Sequence, residues 1–192
     1  KRQLVSQLAG LAARPQLRVL YFQTPTSTTY WLAQRHVAGA LGIDVSGVMR
    51  RTDTTQQDID LLIQEWNSDP SVHLIFVHQP LPEHLDAQRI SALIDPRKDV
   101  EGIHPQNSAR RFFAKSRIGS CTALAVMELI ESTGVDLTGK EAVVVGHSEI
   151  VGRPVSMLLL DKLATPTICH VGTDRAGRLE EHVRRAAVLV VA

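Results

Sequence analysis

The chain has 192 residues, of which 44% are hydrophobic and 21% charged, and its 21 basic and 20 acidic residues leave a formal charge of +1. This composition can fill a globular core, and the balanced charge gives no field that would attract nucleic acid or an anionic membrane. The two cysteines and eight scattered histidines form no zinc motif, and the apolar runs are strand-sized. We therefore expect a cytoplasmic protein that binds no metal, nucleic acid or membrane.

Strand and helix signals alternate through the first half of the sequence. Leucines at helical spacing predict a helix over residues 3–13, and LRVLYF predicts a strand over 17–22. Ser27 is the predicted N-cap of a second helix, which ends at Gly42. The other elements predicted in this half are strands at 43–50 and 72–80 and helices within 52–69 and 83–94. Such alternation indicates a parallel sheet with crossover helices.

The second half repeats this alternation after an irregular segment. Residues 95–113 hold two prolines, a glycine and several charges, and they are predicted to form a long loop, which in a compact domain is usually functional. The elements predicted beyond it are a helix within 120–135, a buried strand at 142–145, a helix from near Ile150, and strands at 165–170 and 186–192. The predicted fold class is therefore α/β, with a domain boundary near 115–120.

Three polar side chains share one face of the predicted second helix. Ser27 and Tyr30 are three residues apart, and Tyr30 and Gln34 are four apart, so the hydroxyl, the phenol and the amide lie one above another. This pattern fits a binding site, and it equally fits the polar edge of a capped helix. The residues alone leave both interpretations open.

Two further segments place polar groups where α/β proteins bind ligands. His78, Gln79 and Pro80 follow the third predicted strand, at the carboxyl edge of the sheet. A lone histidine is more often structural, yet this position makes His78 a candidate. Glu101 lies in the charged segment further along, and it belongs either to a salt-bridged turn or to a site where a carboxylate binds a planar heterocycle.

The segment GHSEIVG (146–152) follows a buried strand and opens a helix. Free N–H groups at the start of a helix, beside a glycine that lets the backbone approach, favour a phosphate. The usual GxGxxG pattern is absent, so a plain tight turn is the competing interpretation. After the next strand, Asp174 suits a ribose hydroxyl and Arg175 suits a 2′-phosphate, which leaves the choice between NAD and NADP open.

Taken together, these segments resemble the bifunctional methylenetetrahydrofolate dehydrogenase/cyclohydrolase family. The match runs in order along essentially the whole chain. Its most specific part is Gly-x-Ser-x-x-Val-Gly-x-Pro in a strand–turn–helix setting, which is close to a family signature. The segments that carry the resemblance are STTY (27–30), FVHQPLP (76–82), PRKDVEGIHPQN (96–107), SCT (120–122) and AVVVGHSEIVGRP (142–154).

The resemblance implies two domains and a reaction. An N-terminal three-layer α/β catalytic domain would occupy residues 1–117, and an incomplete Rossmann-type NAD(P)-binding domain would occupy 118–192, with folate and cofactor in a cleft between them. It implies oxidation of methylenetetrahydrofolate to the methenyl compound with NADP, NAD not being excluded, followed by hydrolysis to the formyl compound. Family members are usually homodimers, so a homodimer that binds tetrahydrofolate derivatives is expected.

The resemblance also implies roles for individual residues. Tyr30, Gln34 and His78 stand at the catalytic positions, where Tyr30 would stack on the folate. Folate binding would involve Ser27, Tyr30, Val77, His78, Gln79, Pro80 and Glu101, and cofactor binding would involve Gly146, His147, Ser148, Val151, Gly152 and Val171. We expect Tyr30, His78 and Glu101 to converge on one cleft that faces the turn at Gly146.

Several positions differ from the family pattern. Gln34 stands where the family has its catalytic lysine, and His78 stands where the family has the glutamine that partners this lysine. Glu101 replaces an aspartate, and Phe22 replaces a glycine after the first strand. The chain also ends at Ala192, before the family's late glycine-rich loop and closing helix, so the resemblance is to a divergent and C-terminally short member.

These differences affect the two reactions unequally. Hydride transfer needs two carbon atoms held close and in line, with the redox chemistry supplied by nicotinamide. Hydrolysis needs a group that gives and takes a proton, which the amide of Gln34 does not do near neutral pH. We therefore expect the dehydrogenase activity to tolerate Gln34 better than the cyclohydrolase activity does. A further hypothesis is that His78, with an ordinary pKa of about 6.5, has taken over the acid–base role.

Two alternatives remain beside this enzyme. One is a catalytically degenerate paralogue that binds folate or a nucleotide and acts as a regulatory or partner subunit. The other is a different Rossmann dehydrogenase that acts on amino or hydroxy acids. Binding measurements followed by a turnover assay separate them, because the paralogue would bind without turnover and the other dehydrogenase would show no folate affinity.

Overall fold

The computed structural model describes residues 2–113 and 119–192, and it divides into two compact units, Lys1–Val100 (unit 1) and Glu101–Ala192 (unit 2). Each unit has a three-stranded parallel sheet with helices packed on it. The domain boundary predicted between residues 117 and 118 lies outside the described residues, whereas the contacts divide the chain after Val100. No helix in the described ranges combines the length and the hydropathy needed to cross a bilayer.

Unit 1 follows the predicted alternation of strands and helices. Its elements are α1 (Arg2–Ala9), β1 (Gln16–Phe22), α2 (Pro25–Leu41), β2 (Asp44–Arg50), α3 (Gln56–Ser68), β3 (Leu74–Val77) and α4 (Ala87–Leu93). Strand β1 lies in the middle of the sheet, between β2 and β3. The predicted strand at 72–80 is therefore present but shorter than expected.

Helices cover both faces of the first sheet. Side chains alternate along a strand, so neighbouring residues of β1 point to opposite faces. Leu20 shares a core cluster with Ile59 of α3 and Ile90 of α4, whereas Val19 shares a second cluster with Trp31 of α2. These layers confirm the three-layer α/β architecture.

Trp31 fixes the orientation of α2 on the sheet. Its indole is buried, stacks on the ring of Tyr21 with centroids 5.4 Å apart, and lies over Gly47 of β2. A Cβ atom at Gly47 would lie 2.6 Å from the indole, so the glycine leaves the space that the ring fills. Because Trp31 is held in this way, the orientation of α2 about its own axis is fixed. This orientation determines which polar side chains face the sheet edge.

Unit 2 contains a second, smaller parallel sheet. Its elements are α5 (Pro105–Phe112), α6 (Cys121–Ser132), β4 (Glu141–Val145), α7 (Gly152–Asp161), β5 (Thr165–Cys169), α8 (Val171–Arg175), α9 (Leu179–Arg184) and β6 (Val188–Val191). Strand β4 lies between β5 and β6, and its Val144 shares a core cluster with Met127 of α6 and Leu159 of α7. This arrangement confirms a partial Rossmann-type sheet.

Two local predictions were wrong. The segment predicted as a long loop contains α5, which begins at Pro105 and is capped by His104, whose Nδ1 accepts a hydrogen bond from the N–H of Gln106 at 3.0 Å. The N-cap of α2 is Thr24 rather than Ser27, because the Thr24 hydroxyl oxygen accepts the Ser27 N–H at 3.2 Å. In both cases proline occupies the first turn of the helix, where its fixed φ is favourable and its missing N–H costs nothing.

Candidate functional site

The carboxyl edge of the first sheet has the geometry of a ligand site. Strand β1 is central, α2 leaves it on one face of the sheet, and α3 lies on the other face. In open α/β sheets this reversal of strand order opens a crevice at the carboxyl ends of the strands. His78 follows β3 at this edge, and the first turns of α2 follow β1. The edge therefore combines a helix face with a strand end.

His78 links the two elements through both of its ring nitrogens. Its backbone N–H donates to the carbonyl of Leu20 at 2.9 Å, which extends the pairing between β3 and β1. The ring Nδ1 lies 3.0 Å from the Ser27 hydroxyl oxygen, and the ring Nε2 lies 3.1 Å from the Gln34 side-chain oxygen. Both bonds are short enough to be real, and they satisfy a neutral imidazole, which has one donor and one acceptor.

Burial keeps this imidazole neutral. His78 is 1% exposed, and removal from water lowers its pKa to about 4, while a hydrogen bond with Ser27 acts in the opposite direction. A charged imidazole is poorly solvated in such a place, so the neutral form prevails at physiological pH. The pKa of His78 therefore lies well below the ordinary value of about 6.5 that was assumed for it, and its acid–base role stays a prediction.

Tyr30 completes the polar helix face predicted from the sequence. Its ring centroid is 4.7 Å from that of His78, with the planes tilted by 41°, and its side chain is half exposed. Ser27, Tyr30 and Gln34 all contact the same imidazole, which confirms that the three side chains share one face of α2. A half-exposed aromatic ring at a sheet edge is suited to stacking on a planar ligand.

The other predicted folate-site residues lie in different environments. Val77 is 1% exposed and its side chain belongs to the core of unit 1, so only its backbone is available to a ligand. Gln79 and Pro80 are exposed and joined by a cis peptide bond. Glu101 is buried and belongs to unit 2. Its convergence with Tyr30 and His78 stays a prediction.

The turn between β4 and α7 in unit 2 depends on two glycines. Gly146 has φ +121°, and a Cβ atom there would lie 2.2 Å from the carbonyl oxygen of Ala192. A Cβ atom at Gly152 would lie 2.3 Å from the carbonyl oxygen of Gly146. Real Cβ atoms do not approach backbone oxygens so closely, so side chains are excluded at both positions. The turn is held tightly against the helix and against the end of the neighbouring strand.

Ser148 occupies the N–H groups at the start of α7. Its hydroxyl oxygen accepts from the N–H groups of Val151 at 3.2 Å and Gly152 at 3.3 Å, and its carbonyl accepts from Arg153 at 3.0 Å. The expectation that these N–H groups are free for a phosphate is therefore wrong. The Ser148 hydroxyl keeps its own hydrogen, and it can donate that hydrogen to an anion at the exposed turn.

Two histidines meet at the carboxyl edge of the second sheet. The rings of His147, after β4, and His170, after β5, have centroids 5.3 Å apart. Nδ1 of His170 accepts the Gly172 N–H at 3.1 Å and so caps α8, whose first residue, Val171, is 59% exposed. No individual role was predicted for His170, and only the pairing of β5 beside β4 brings it to His147. Strand β4 is central, so this edge is also a point where strand order reverses.

Comparison with known proteins identifies the class of the chain. Residues 1–101 match the catalytic domain of tetrahydrofolate dehydrogenase/cyclohydrolase, and residues 120–192 match the NAD(P)-binding domain of the same enzymes. The chain belongs to the tetrahydrofolate dehydrogenase/cyclohydrolase family. The resemblance seen in the sequence is thus confirmed, and the described residues hold no group of three or more His, Cys, Asp or Glu side chains arranged for a metal ion.

Individual relatives agree with this family. The bifunctional protein FolD 2 of Geobacter sulfurreducens is 40% identical over 190 residues, which are 98% of this chain and 65% of that protein. The bifunctional FolD enzyme of Campylobacter jejuni, a methylenetetrahydrofolate dehydrogenase/cyclohydrolase, is 33% identical with a TM-score of 0.92, over 100% of this chain and 67% of that one. The Trypanosoma brucei enzyme, solved with NADP and an inhibitor, is 31% identical with a TM-score of 0.93 over the same shares.

Proposed function

We propose that the protein oxidises methylenetetrahydrofolate to methenyltetrahydrofolate with NADP as the hydride acceptor, and that it hydrolyses the methenyl product only slowly. The observation that carries this proposal is the bond between Gln34 and the neutral imidazole of His78, at the position where the family resemblance implies a lysine. The amide binds and orients a ligand but does not accept a proton, and an imidazole with a pKa of about 4 is a weak base near neutral pH, because a catalytic base works best when its pKa lies near the operating pH.

The oxidation requires positioning more than proton chemistry. The half-exposed ring of Tyr30 offers a surface for the flat pterin, and the amide of Gln34 offers hydrogen bonds beside it. A nicotinamide cofactor, when bound, would supply the hydride acceptor. Alignment of donor and acceptor carbons supplies much of the rate of such reactions, and none of the residues at this edge has to change its charge.

The residues of unit 2 fit a dinucleotide phosphate. The hydroxyl of Ser148 keeps a hydrogen to donate, and His147 lies on the exposed turn beside His170. The carboxyl edge at a reversal of strand order is the usual dinucleotide site of open α/β sheets. NADP is the proposed cofactor, in keeping with the NADP complex of the Trypanosoma brucei relative. NAD is the second choice.

We extend the proposal to the organisation of the protein. The catalytic domain would comprise residues 1–117 and the cofactor domain 118–192, and Tyr30, His78 and Glu101 would be folate-binding residues. Family membership supports a homodimer in the cytoplasm. The chain spans 65% of the length of its Geobacter relative, so the activity of the whole protein is inferred from this part.

A catalytically degenerate binding protein is the second candidate. Gln34 in place of the family lysine favours it, since the polar face of α2 then serves to bind folate without hydrolysing its derivative. The two candidates differ in turnover and not in affinity.

The test is NADPH formation from methylenetetrahydrofolate, preceded by calorimetric titration with NADP+, NAD+ and tetrahydrofolate. We expect turnover with NADP+, and we expect Tyr30→Ala to lower kcat/KM by about tenfold through lost stacking. Leu32→Ala removes an exposed side chain from the same helix and serves as the matched control, with unchanged kinetics. Binding without turnover supports the degenerate protein, and absence of both rejects the proposal.

A further inference from the structure

A hydroxyl, an imidazole and an amide form a continuous chain at the edge of the first sheet. Ser27 and Gln34 lie two helical turns apart on α2, and His78 bridges them, with Nδ1 3.0 Å from the Ser27 hydroxyl and Nε2 3.1 Å from the Gln34 oxygen. His78 is 1% exposed, so the bulk solvent is not available to replace either partner. A buried neutral imidazole needs both bonds, since an unmet donor or acceptor is costly there.

The hydrogens of this chain have two possible orders, and the atom of Gln34 that faces the imidazole indicates which of them is present. The side-chain atom of Gln34 that faces Nε2 is its oxygen, which only accepts. Nε2 therefore carries the imidazole hydrogen. Nδ1 is then the acceptor, and the Ser27 hydroxyl donates to it. A helical serine often donates instead to the carbonyl four residues earlier, so the bond to His78 uses a hydroxyl that the helix itself could have used.

We propose that Ser27 is a positioning residue: its hydroxyl fixes the tautomer of His78 with the hydrogen on Nε2, and this tautomer turns the amide nitrogen of Gln34 away from the imidazole, toward bound folate. The last step rests on the proposed function, because it takes folate as the ligand at this edge. Gln34 then presents two N–H donors, and it selects a ligand that offers an acceptor, such as a carbonyl oxygen or a ring nitrogen with a free lone pair.

The surroundings of the imidazole hold this order in place. The rings of Tyr30, Phe76 and Tyr21 lie 4.7, 5.6 and 5.9 Å from it, centroid to centroid. They enclose the imidazole in a largely apolar setting, where hydrogen bonds are stronger than in water. Each hydrogen bond is donated in the same direction, from the Ser27 hydroxyl to His78 and from His78 to Gln34. A substitution at Ser27 therefore changes the orientation of the Gln34 amide, although the two side chains are not in contact.

The first test reads the tautomer directly, without ligand. In protein labelled with nitrogen-15, the imidazole of His78 should give the spectrum of an Nε2–H tautomer, with a bare Nδ1. Ser27→Ala removes the donor and should produce a mixture of tautomers, whereas Ser27→Thr retains a hydroxyl and should restore the single form. Thr29→Ala is the matched control, because the Thr29 hydroxyl donates to the Pro25 carbonyl on the same helix and does not bond to His78.

Two results of this test would overturn the positioning role. One is an Nδ1–H tautomer in the unaltered protein, which reverses the order of the hydrogens. The other is a Ser27→Ala spectrum identical with that of the unaltered protein, which removes Ser27 as the cause. Should Ser27→Ala fail to fold, the unaltered protein and Ser27→Thr still decide the order of the hydrogens.

The second test separates the donor role of Gln34 from the proposed function. Gln34→Glu keeps an oxygen for Nε2–H and removes both N–H donors. Its dissociation constant for 5-formyltetrahydrofolate, a stable tetrahydrofolate derivative, should rise by about tenfold, the worth of one net hydrogen bond, with the Nε2–H tautomer retained. Equal affinity overturns the donor role. Absence of binding by the unaltered protein overturns the proposed function, while the tautomer still decides the role of Ser27.

Discussion

The two units share a sheet topology, but the candidate site of unit 1 is formed by side chains and that of unit 2 by backbone. Each places its first strand in the middle of three, and each has its candidate residues at the carboxyl edge of that strand. In unit 1 the edge is made of side chains that reach from α2 to His78. In unit 2 it is made of backbone, with Gly146 and Gly152 in close approach. The first kind of site can change its chemistry by one substitution, and the second kind cannot accept even a methyl group.

The histidines of the two units show the same contrast. His78 is buried, bonded through both ring nitrogens and neutral. His147 and His170 are exposed and face each other at the rim of their sheet. The unit 1 histidine therefore organises its neighbours, whereas the unit 2 histidines are accessible to an anionic ligand. The predictions below test this division, beginning with the largest effect.

Gly152→Ala should destabilise unit 2 by at least about 3 kcal/mol, because the new Cβ atom would lie 2.3 Å from a backbone oxygen that cannot move without the turn. Urea denaturation measures the change. Gly39→Ala is the control: it lies within α2, where nothing stands within 4 Å of a new Cβ atom, and it should stabilise the protein by about 0.5–1 kcal/mol. Equal effects of the two substitutions would contradict the tight packing of the turn.

His78 should make the protein less stable in mild acid. Its pKa is about 4 when folded and about 6.5 when unfolded, so below pH 6.5 the unfolded state binds more protons and the free energy of unfolding falls as the pH is lowered. The loss should approach about 3 kcal/mol near pH 4. Chemical denaturation between pH 7 and pH 4 measures it.

The control for this pH dependence is His78→Gln, which should show a flatter profile over the same range. Asp95, whose pKa Arg97 lowers to about 2, loses its contribution only as the pH falls from about 4 toward 2, so the two windows separate. Identical profiles for the two proteins would mean that His78 is not a buried neutral group.

The double variant Gln34→Lys/His78→Gln restores the pair implied by the family resemblance. Hydrolysis of methenyltetrahydrofolate should rise by about 10²-fold, the lower range for a positioned proton-transfer group. Hydride transfer should change by less than about tenfold, since it depends on alignment. Each single variant serves as a control. A double variant with unchanged hydrolysis would show that Gln34 and His78 do not limit that reaction.

The side-chain hydrogen bonds at the starts of α2 and α7 should contribute similar, small amounts to the free energy of unfolding. Thr24→Ala removes the acceptor for the Ser27 N–H, and Ser148→Ala removes the acceptor for the Val151 and Gly152 N–H groups. Each should lower the free energy of unfolding by about 1 kcal/mol, measured by urea denaturation. A negligible effect of Ser148→Ala would indicate that the N–H groups at the start of α7 find water instead.

The sequence predicted the larger features of this fold because they depend on local patterns. Each of the six predicted strands is present, since buried parallel strands read as short apolar runs between helical periods. The helix α5 was missed because its single proline and its two arginines hide the signal, although Pro105 at a first helical position is itself a start signal. Local patterns thus predict the order of the helices and strands, but they do not predict where every element begins and ends.

The shared helix face was predicted from the sequence, whereas the electrostatics of its surroundings were not. The spacing of Ser27, Tyr30 and Gln34 was sufficient to place them on one helix face. The lowered pKa of His78 depends on burial, which arises when α2 packs over the strand end and cannot be seen in the sequence. The same is true of Ser148, whose hydroxyl occupies N–H groups that the motif had suggested were free for a phosphate.

A single time course tests the central claim, that the edge of unit 1 supports oxidation and is poor at proton transfer. The protein is mixed with methylenetetrahydrofolate and NADP+, and NADPH, the methenyl compound and the formyl compound are followed together. We predict that NADPH and the methenyl compound rise in step and that the methenyl compound then persists. Formation of the formyl compound at the rate of NADPH, with no methenyl compound accumulating, would contradict the claim, as would the absence of NADPH.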